Sequence, residues 1–227
     1  MQTETTRQGL RRALAAARAQ GRRICFVPTM GYLHEGHLAL VDRARQHGDV
    51  VVMSIFVNAL QFGPQEDLAR YPRDLARDSE LAAQRGVHFL FAPADEEIYP
   101  HGRPAVTVLP GEIADRLCGH FRPGHFEGVL TVVAKLFNIV EPAAAVFGQK
   151  DFQQCVLVKR MCADLDFPVE IVIAPTVREA DGLALSSRNT YLDEAERKSA
   201  LLLSRGLRAA QQRYREGARD PDELIAT

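Results

Sequence analysis

Residues 24 to 38 read Ile24-Cys25-Phe26-Val27-Pro28-Thr29-Met30-Gly31-Tyr32-Leu33-His34-Glu35-Gly36-His37-Leu38. The four apolar residues at the start show no polar alternation, the pattern of a short strand covered on both faces. A Pro-Thr-Met-Gly turn follows, and His-Glu-Gly-His then opens a helix. A helix N-terminus carries unpaired N–H donors and a partial positive charge, and so favours phosphate. Histidines three apart lie on one helical face, so both rings can address the same polyphosphate. Gly36 removes a Cβ that would hold such a group away from the backbone. Two histidines at this spacing also suit a metal, but no third ligand of recognisable spacing accompanies them.

Outward from this stretch, further short apolar or β-branched runs read as strands: Val50–Val57, Val87–Phe91, Val106–Leu109, Ala144–Phe147 and Val169–Ile173. Helical patterns lie between them. Over Gly128–Val140 the residues Val129, Val132, Val133, Leu136, Phe137 and Val140 share one broad face. Leu75–Arg85 and Phe152–Leu165 show weaker forms of the same period. The alternation predicts an α/β fold, a Rossmann-like doubly wound parallel sheet. In such sheets ligands bind beyond the carboxyl ends of the strands, so the loops after strands are the place to look for chemistry. Residues 1–180 are assigned to this domain.

The tail differs in kind. Asp193 is placed to cap a helix, with Glu196 at the reciprocal position, and a long helix from Glu194 to about Arg215 ends before Gly217. Asp220-Pro221 then looks like the cap and first position of another helix, and the chain stops at Thr227. Residues 181–227 are therefore expected to be the start of a smaller α+β domain, truncated here.

Composition narrows the function classes. The 227 residues carry 28 Lys+Arg against 29 Asp+Glu, a net charge of −1, which excludes bulk electrostatic capture of nucleic acid. The N-terminal residues lack the apolar core of a secretory signal, and the longest apolar run is far too short to cross a bilayer. A cytoplasmic protein without membrane or nucleic-acid partners is expected. Cys25, Cys118, Cys155 and Cys162 form no C-x-x-C pair and read as small core hydrophobes in a reducing compartment. Arg11, Arg12, Arg22 and Arg23 read as solvent-facing charges; Asp74 and Asp78 share a helical face that could help hold a divalent cation but reads better as a solvated acidic face.

Several separated motifs then align with one family. Pro28-Thr29-Met30-Gly31 with His34-Glu35-Gly36-His37 resembles pantoate–β-alanine ligases, members of the HIGH-motif nucleotidyltransferase superfamily. So do Ser54-Ile55-Phe56-Val57-Asn58 with Gln61-Phe62, Tyr71-Pro72-Arg73, and Arg122-Pro123-Gly124-His125-Phe126-Glu127-Gly128-Val129. Phe147-Gly148-Gln149-Lys150-Asp151-Phe152-Gln153-Gln154 and Arg178-Glu179-Ala180-Asp181-Gly182-Leu183-Ala184-Leu185-Ser186-Ser187-Arg188-Asn189 complete the set. The resemblance runs from about Gly21 to Leu192.

It implies a reaction in two halves. The carboxylate of (R)-pantoate attacks the α-phosphorus of ATP, giving pantoyl adenylate and pyrophosphate; the amine of β-alanine then displaces AMP to form pantothenate. A carboxylate is ionised at neutral pH, so the first half needs positioning and charge neutralisation, not a general base. By resemblance His34, His37 and Lys150 are the catalytic donors. ATP contacts fall on Met30, Gly31, His34, Gly36, His37, Gly148, Lys150, Asp151, Val177, Leu185, Ser186, Ser187 and Arg188. Leu185 stands where many family members carry Met, a volume-conserving change. Asp151 suits either a ribose hydroxyl or the cap of the next helix. Pantoate falls to Gln61, Gln154, Phe56, Asn58, Val132 and Val133, and β-alanine to Gln61. Ala59 stands where the family usually has proline. No role is assigned to Arg122 or His125. Mg²⁺ is expected to enter with ATP, held by phosphate oxygens and water, and the resemblance implies a homodimer through the N-terminal domain. Two rival readings are another nucleotidyltransferase of the superfamily and a degenerate or truncated, non-catalytic nucleotide-binding protein. The second fits the short tail, yet every motif histidine, Lys150 and Arg188 is present.

Overall fold

The structure, a computed structural model, describes residues 1–226. The chain divides into two compact units, 1–175 and 176 onward, with the division a little before the boundary expected at residue 180.

The first unit is built on six parallel strands: β1 (Gln2–Glu4), β2 (Ile24–Thr29), β3 (Val50–Ile55), β4 (Phe89–Phe91), β5 (Ala144–Gly148) and β6 (Glu170–Ala174), in the spatial order β1-β4-β3-β2-β5-β6. Its helices are α1 (Arg7–Ala19), α2 (Glu35–Ala44), α3 (Leu75–Gln84), α4 (Asp95–Ile98), α5 (Cys118–Phe121), α6 (His125–Val140) and α7 (Phe152–Asp164). Alternate strand residues feed two separate cores. Ile24, Phe26, Val50, Val52, Ala145 and Phe147 pack with α1, α6 and α7. Cys25, Val27, Val51, Met53, Ala144 and Val146 pack with α2 and α3. This two-sided burial is why the strands read as continuous apolar runs rather than alternating ones. From β2 the chain winds outward through β3 and β4, then crosses back to β5 on the other side of β2. The order therefore reverses between β2 and β5, and the crevice above their carboxyl ends is where such sheets bind ligands.

Two expectations are corrected by the structure, and one strand is added. Val106–Leu109 is not a strand. Val106 is 86% and Leu109 75% exposed, and the run joins no ladder, since both sheet edges are already formed by β1 and β6. Only its Val108 N–H is anchored, to Thr131 Oγ1 at 3.0 Å. Conversely β1 is polar and carries no strand pattern; pairing with β4 makes it one. Finally, Cys25, Cys155 and Cys162 are buried but Cys118, on the short α5, is exposed.

In the second unit, Val177 to Leu185 double back on each other. Leu185 N–H donates to Val177 O at 3.0 Å, and Arg178 bridges Ala184 in antiparallel fashion. A 3₁₀ turn, Ser187–Tyr191, leads to α8 (Glu194–Arg215) and α9 (Pro221–Ile225). Asp193 and Glu196 form the predicted reciprocal cap of α8, and Asp220 caps α9 with Pro221 in its first turn. Within α8 only Ser204 is buried, and Leu202, Leu203 and Leu207 are exposed. Among the described residues no helix is long and apolar enough to cross a membrane.

Candidate active site

Every strand of the first unit points its carboxyl end the same way, so the loops after β2, β3 and β5, three adjacent strands, open onto one edge of the sheet. These loops hold the His-Glu-Gly-His motif, the Gln61 turn and Lys150.

His34 is the N-cap of α2, and its Nδ1 accepts the Gly36 N–H at 3.1 Å. The Nδ1 of His37 accepts the His34 N–H at 3.4 Å, closing a capping box made of two imidazoles. The ring centroids lie 4.0 Å apart, tilted by 31°. Burial pushes His34 down to about 4, helped by the Lys150 and Arg77 cations, and His37 down to about 3, helped by His34 and Lys150. Both rings are thus neutral at pH 7. With each Nδ1 accepting, the proton of the neutral ring sits on Nε2, which makes each ring a donor at its outer end. The first-turn amides of α2 are largely consumed: Gly36 N–H by His34 Nδ1, and His37 and Leu38 N–H by His34 O. The outer Nε2–H groups of the two imidazoles, rather than these backbone N–H groups, are the donors left open at the head of α2.

The turn that carries the chain from β2 into His34 is left-handed at both Gly31 (φ +83°) and Tyr32 (φ +51°). Asp78, on α3, binds it: Oδ2 accepts the Tyr32 N–H at 2.6 Å and Oδ1 the Leu33 N–H at 2.7 Å. Asp78 is 1% exposed, so it is not part of a solvated acidic face. Asp74 caps α3 by accepting the Arg77 N–H.

After β3 the chain forms a 3₁₀ turn, Ala59–Gln61. Asn58, 1% exposed, braces it through all of its side-chain groups. Its Nδ2 donates to Gln61 Oε1 and to Gly128 O, both at 3.1 Å, and its Oδ1 accepts from Tyr99 OH at 2.8 Å. Gln61 Nε2 lies 3.1 Å from Met30 Sδ, which joins this turn to the β2 loop. A second brace comes from the residues left without a role. His125 Nδ1 lies 2.8 Å from Gln61 O, and Arg122 sits 3.1 Å from His125 Nε2 while clasping Glu66 through two nitrogens. Gly128 of α6 permits the close approach; a Cβ there would lie 2.4 Å from Leu60 O and 2.6 Å from Gln61 N. Phe56, Val132 and Val133 are buried beside this turn in the core shared with α6.

Lys150 and Asp151 follow β5 in a short 3₁₀ turn, exposed, with Lys150 Nζ 3.3 Å from Asp151 Oδ2. Asp151 occupies the cap position of α7 but its side chain makes no capping bond. Gln154, one turn on, is half-buried. In the second unit, Ser186 Oγ accepts the Arg188 N–H at 3.2 Å, and Ser187 is buried. Asn189 ties the loop back to Glu179 and Ala184. Arg197 of α8 binds Glu179 and Asp181 at 2.7 and 2.6 Å. Val177, Leu185 and Ser186 to Arg188 are thereby gathered in one loop system of this unit. Asp78, Tyr99 and Glu66 carried no motif signal; only long-range folding brings each to the loop it supports. Among the described residues no group of three or more His, Cys, Asp or Glu side chains is placed to hold a metal.

The sequence profile of the family described as pantoate-beta-alanine ligase matches residues 2–226. Pantothenate synthetase 1 of Bradyrhizobium diazoefficiens is 61% identical over 217 residues, covering 96% of this chain and 76% of that protein. The crystal structure of pantothenate synthetase from Thermus thermophilus superposes with a TM-score of 0.93 at 52% identity, over 100% of this chain and 80% of that one. A pantoate-beta-alanine ligase from Francisella tularensis, crystallised with beta-gamma ATP and β-alanine, superposes with a TM-score of 0.86 at 39% identity, over 92% of this chain and 79% of that one.

Proposed function

From the premise that the chain belongs to the pantoate–β-alanine ligase family, we propose how its residues divide the labour of the family reaction. That reaction is the ATP-dependent condensation of pantoate with β-alanine to pantothenate. A pantoate carboxylate oxygen forms a bond to the α-phosphorus while the bond to the pyrophosphate oxygen breaks. The β-alanine nitrogen then bonds to the acyl carbon, AMP departs with the electron pair, and the amine gives up its proton.

The observation that carries the assignment is the pair of neutral imidazoles. His34 and His37 have their inner nitrogens committed to backbone N–H groups and their outer Nε2–H donors available, within the field of Lys150. In the first half-reaction His37 donates a hydrogen bond from Nε2 to a phosphoryl oxygen, with His34 beside it. With its ring neutral at pH 7, His37 carries no imidazolium proton, so its part in this scheme is a hydrogen bond from Nε2–H rather than proton transfer as an imidazolium acid. Lys150 supplies the full positive charge that the departing pyrophosphate needs. Gly31, Gly36, Gly148 and Asp151 line the nucleotide. Val177 and Leu185 face adenine, and Ser186, Ser187 and Arg188 serve the outer phosphates. Gln61 and Gln154 orient pantoate against Phe56, Val132 and Val133, and Gln61 also meets β-alanine. Asn58 acts through Gln61, since its amide is fully engaged in bracing the turn.

Mg²⁺ accompanies ATP, its charge offsetting the phosphates, with oxygens drawn from phosphate and water. We further infer that two first units pair to form a homodimer, and that the reaction runs in the cytoplasm, where ATP is supplied.

Pyrophosphate exchange into ATP, driven by pantoate without β-alanine, tests the scheme. The parent is expected to exchange only when pantoate is present. His37→Ala and Lys150→Ala should each lower the rate by about a hundredfold or more. Exchange independent of pantoate, or undiminished in His37→Ala, would overturn it.

A further inference from the structure

We propose that Asp78 is a positioning residue for nucleotide binding: its carboxylate fills the cradle formed by the Tyr32 and Leu33 amides, and so holds the left-handed turn that delivers His34 to the head of α2. The proposal rests on the assignment of His34 and His37 to ATP.

The left-handed pair Gly31 and Tyr32 shapes a turn in which the consecutive N–H groups of Tyr32 and Leu33 both face the Asp78 carboxylate. Gly31 takes this conformation at no steric cost, but Tyr32 at φ +51° is held in a conformation that a side chain disfavours. The turn persists because an anion from elsewhere in the chain occupies it. Both carboxylate oxygens are used, at 2.6 and 2.7 Å, which is the pattern of an ionised acceptor. Asp78 is buried, and desolvation raises its carboxyl above the usual range despite those bonds. Its charge is therefore held at a cost to stability, which a neutral filler of the same site would avoid. The nearest cation, Arg77 Nη1, stands 3.6 Å from Oδ1, and its guanidinium lies over the Tyr32 ring.

There is no slack between this carboxylate and the turn. A Cβ on Gly31 would lie 3.0 Å from Asp78 Oδ2 and 2.9 Å from Ile55 Cγ2. The residue after Leu33 is His34, whose ring and backbone together start α2 and seat His37. A shift of the turn therefore passes to both imidazoles at once. The Gln61 turn has braces of its own in Asn58 and His125, and meets this loop only through the side chains of Gln61 and Met30.

The test is Asp78→Asn in pantoate-driven pyrophosphate exchange. An asparagine of equal size turns one acceptor into an N–H facing an N–H. The expected result is a KM for ATP raised about tenfold or more, with the KM for pantoate near the parent value. Adding Tyr32→Gly to Asp78→Asn should recover much of the ATP affinity, because glycine takes the left-handed conformation unaided. Leu14→Ala, a cavity in the core on the other face of the sheet, should lower the melting temperature without moving either KM. Should Asp78→Asn fail to fold, Asp78→Glu keeps the charge, displaces the oxygens, and is expected to show the same selective defect. An unchanged KM for ATP in a folded Asp78 variant, no recovery with Tyr32→Gly, or an equal KM rise in Leu14→Ala would each overturn the proposal. His37→Ala run alongside separates the two ideas: if it exchanges normally, the ATP assignment fails whatever Asp78→Asn does.

Discussion

At the scale of single residues, the rings that the proposed scheme gives to ATP, His34 and His37, are also the cap of α2. Each cap bond depends on an unprotonated Nδ1. Their folded values of about 4 and about 3 lie below the ordinary histidine value, so the unfolded chain binds more protons between roughly pH 3 and 6.5. The stability these two rings contribute is complete above pH 6.5 and is lost as the pH falls through the folded values. Calorimetric scans from pH 7 to pH 4 are expected to show a falling melting temperature, with a shallower fall in His37→Gln, whose amide oxygen can still accept the His34 N–H without titrating. An identical slope in that variant would contradict the assignment. The identity of these histidines was legible in the chain because their spacing and their place after a strand are local. The role of Asp78 was not, because its partners are more than forty residues away and the reading of an exposed acidic face had only helical period to go on.

At the scale of elements, the Gln61 turn and the start of α6 form one interlocked piece, joined where Gly128 leaves no room for a side chain. Gly128→Ala is expected to push the turn outward, costing about 1–3 kcal/mol of stability by overpacking and raising the KM for pantoate more than that for ATP. Melting and steady-state kinetics measure both effects. The strands β2, β3, β5 and β6 and the helices α6 to α8 follow closely from apolar period and capping chemistry, since burial on two faces or a local cap writes each into its own segment. Val106–Leu109 misled because β-branched residues suit any extended chain, and only a free neighbouring edge turns an extended chain into a strand. For β1 the reverse holds: three polar residues become a strand through pairing with β4 alone.

At the scale of the whole molecule, the first unit exposes Val106, Leu109, Leu117 and Phe121, four large apolar side chains within a short span of chain. A surface of this kind is what an interface between identical subunits would cover. Sedimentation velocity is expected to report a dimer, and Phe121→Asp to shift it toward monomer while leaving the fold intact; a parent that sediments as a monomer at all concentrations would remove the proposed assembly. The long helix α8 raises a different matter. Ser204 is its only buried residue, arginines are spaced along it, and much of its support comes from its cap and ion pairs. With so little of it buried, α8 is expected to open before the sheet does, and limited trypsin digestion should cut at its arginines first.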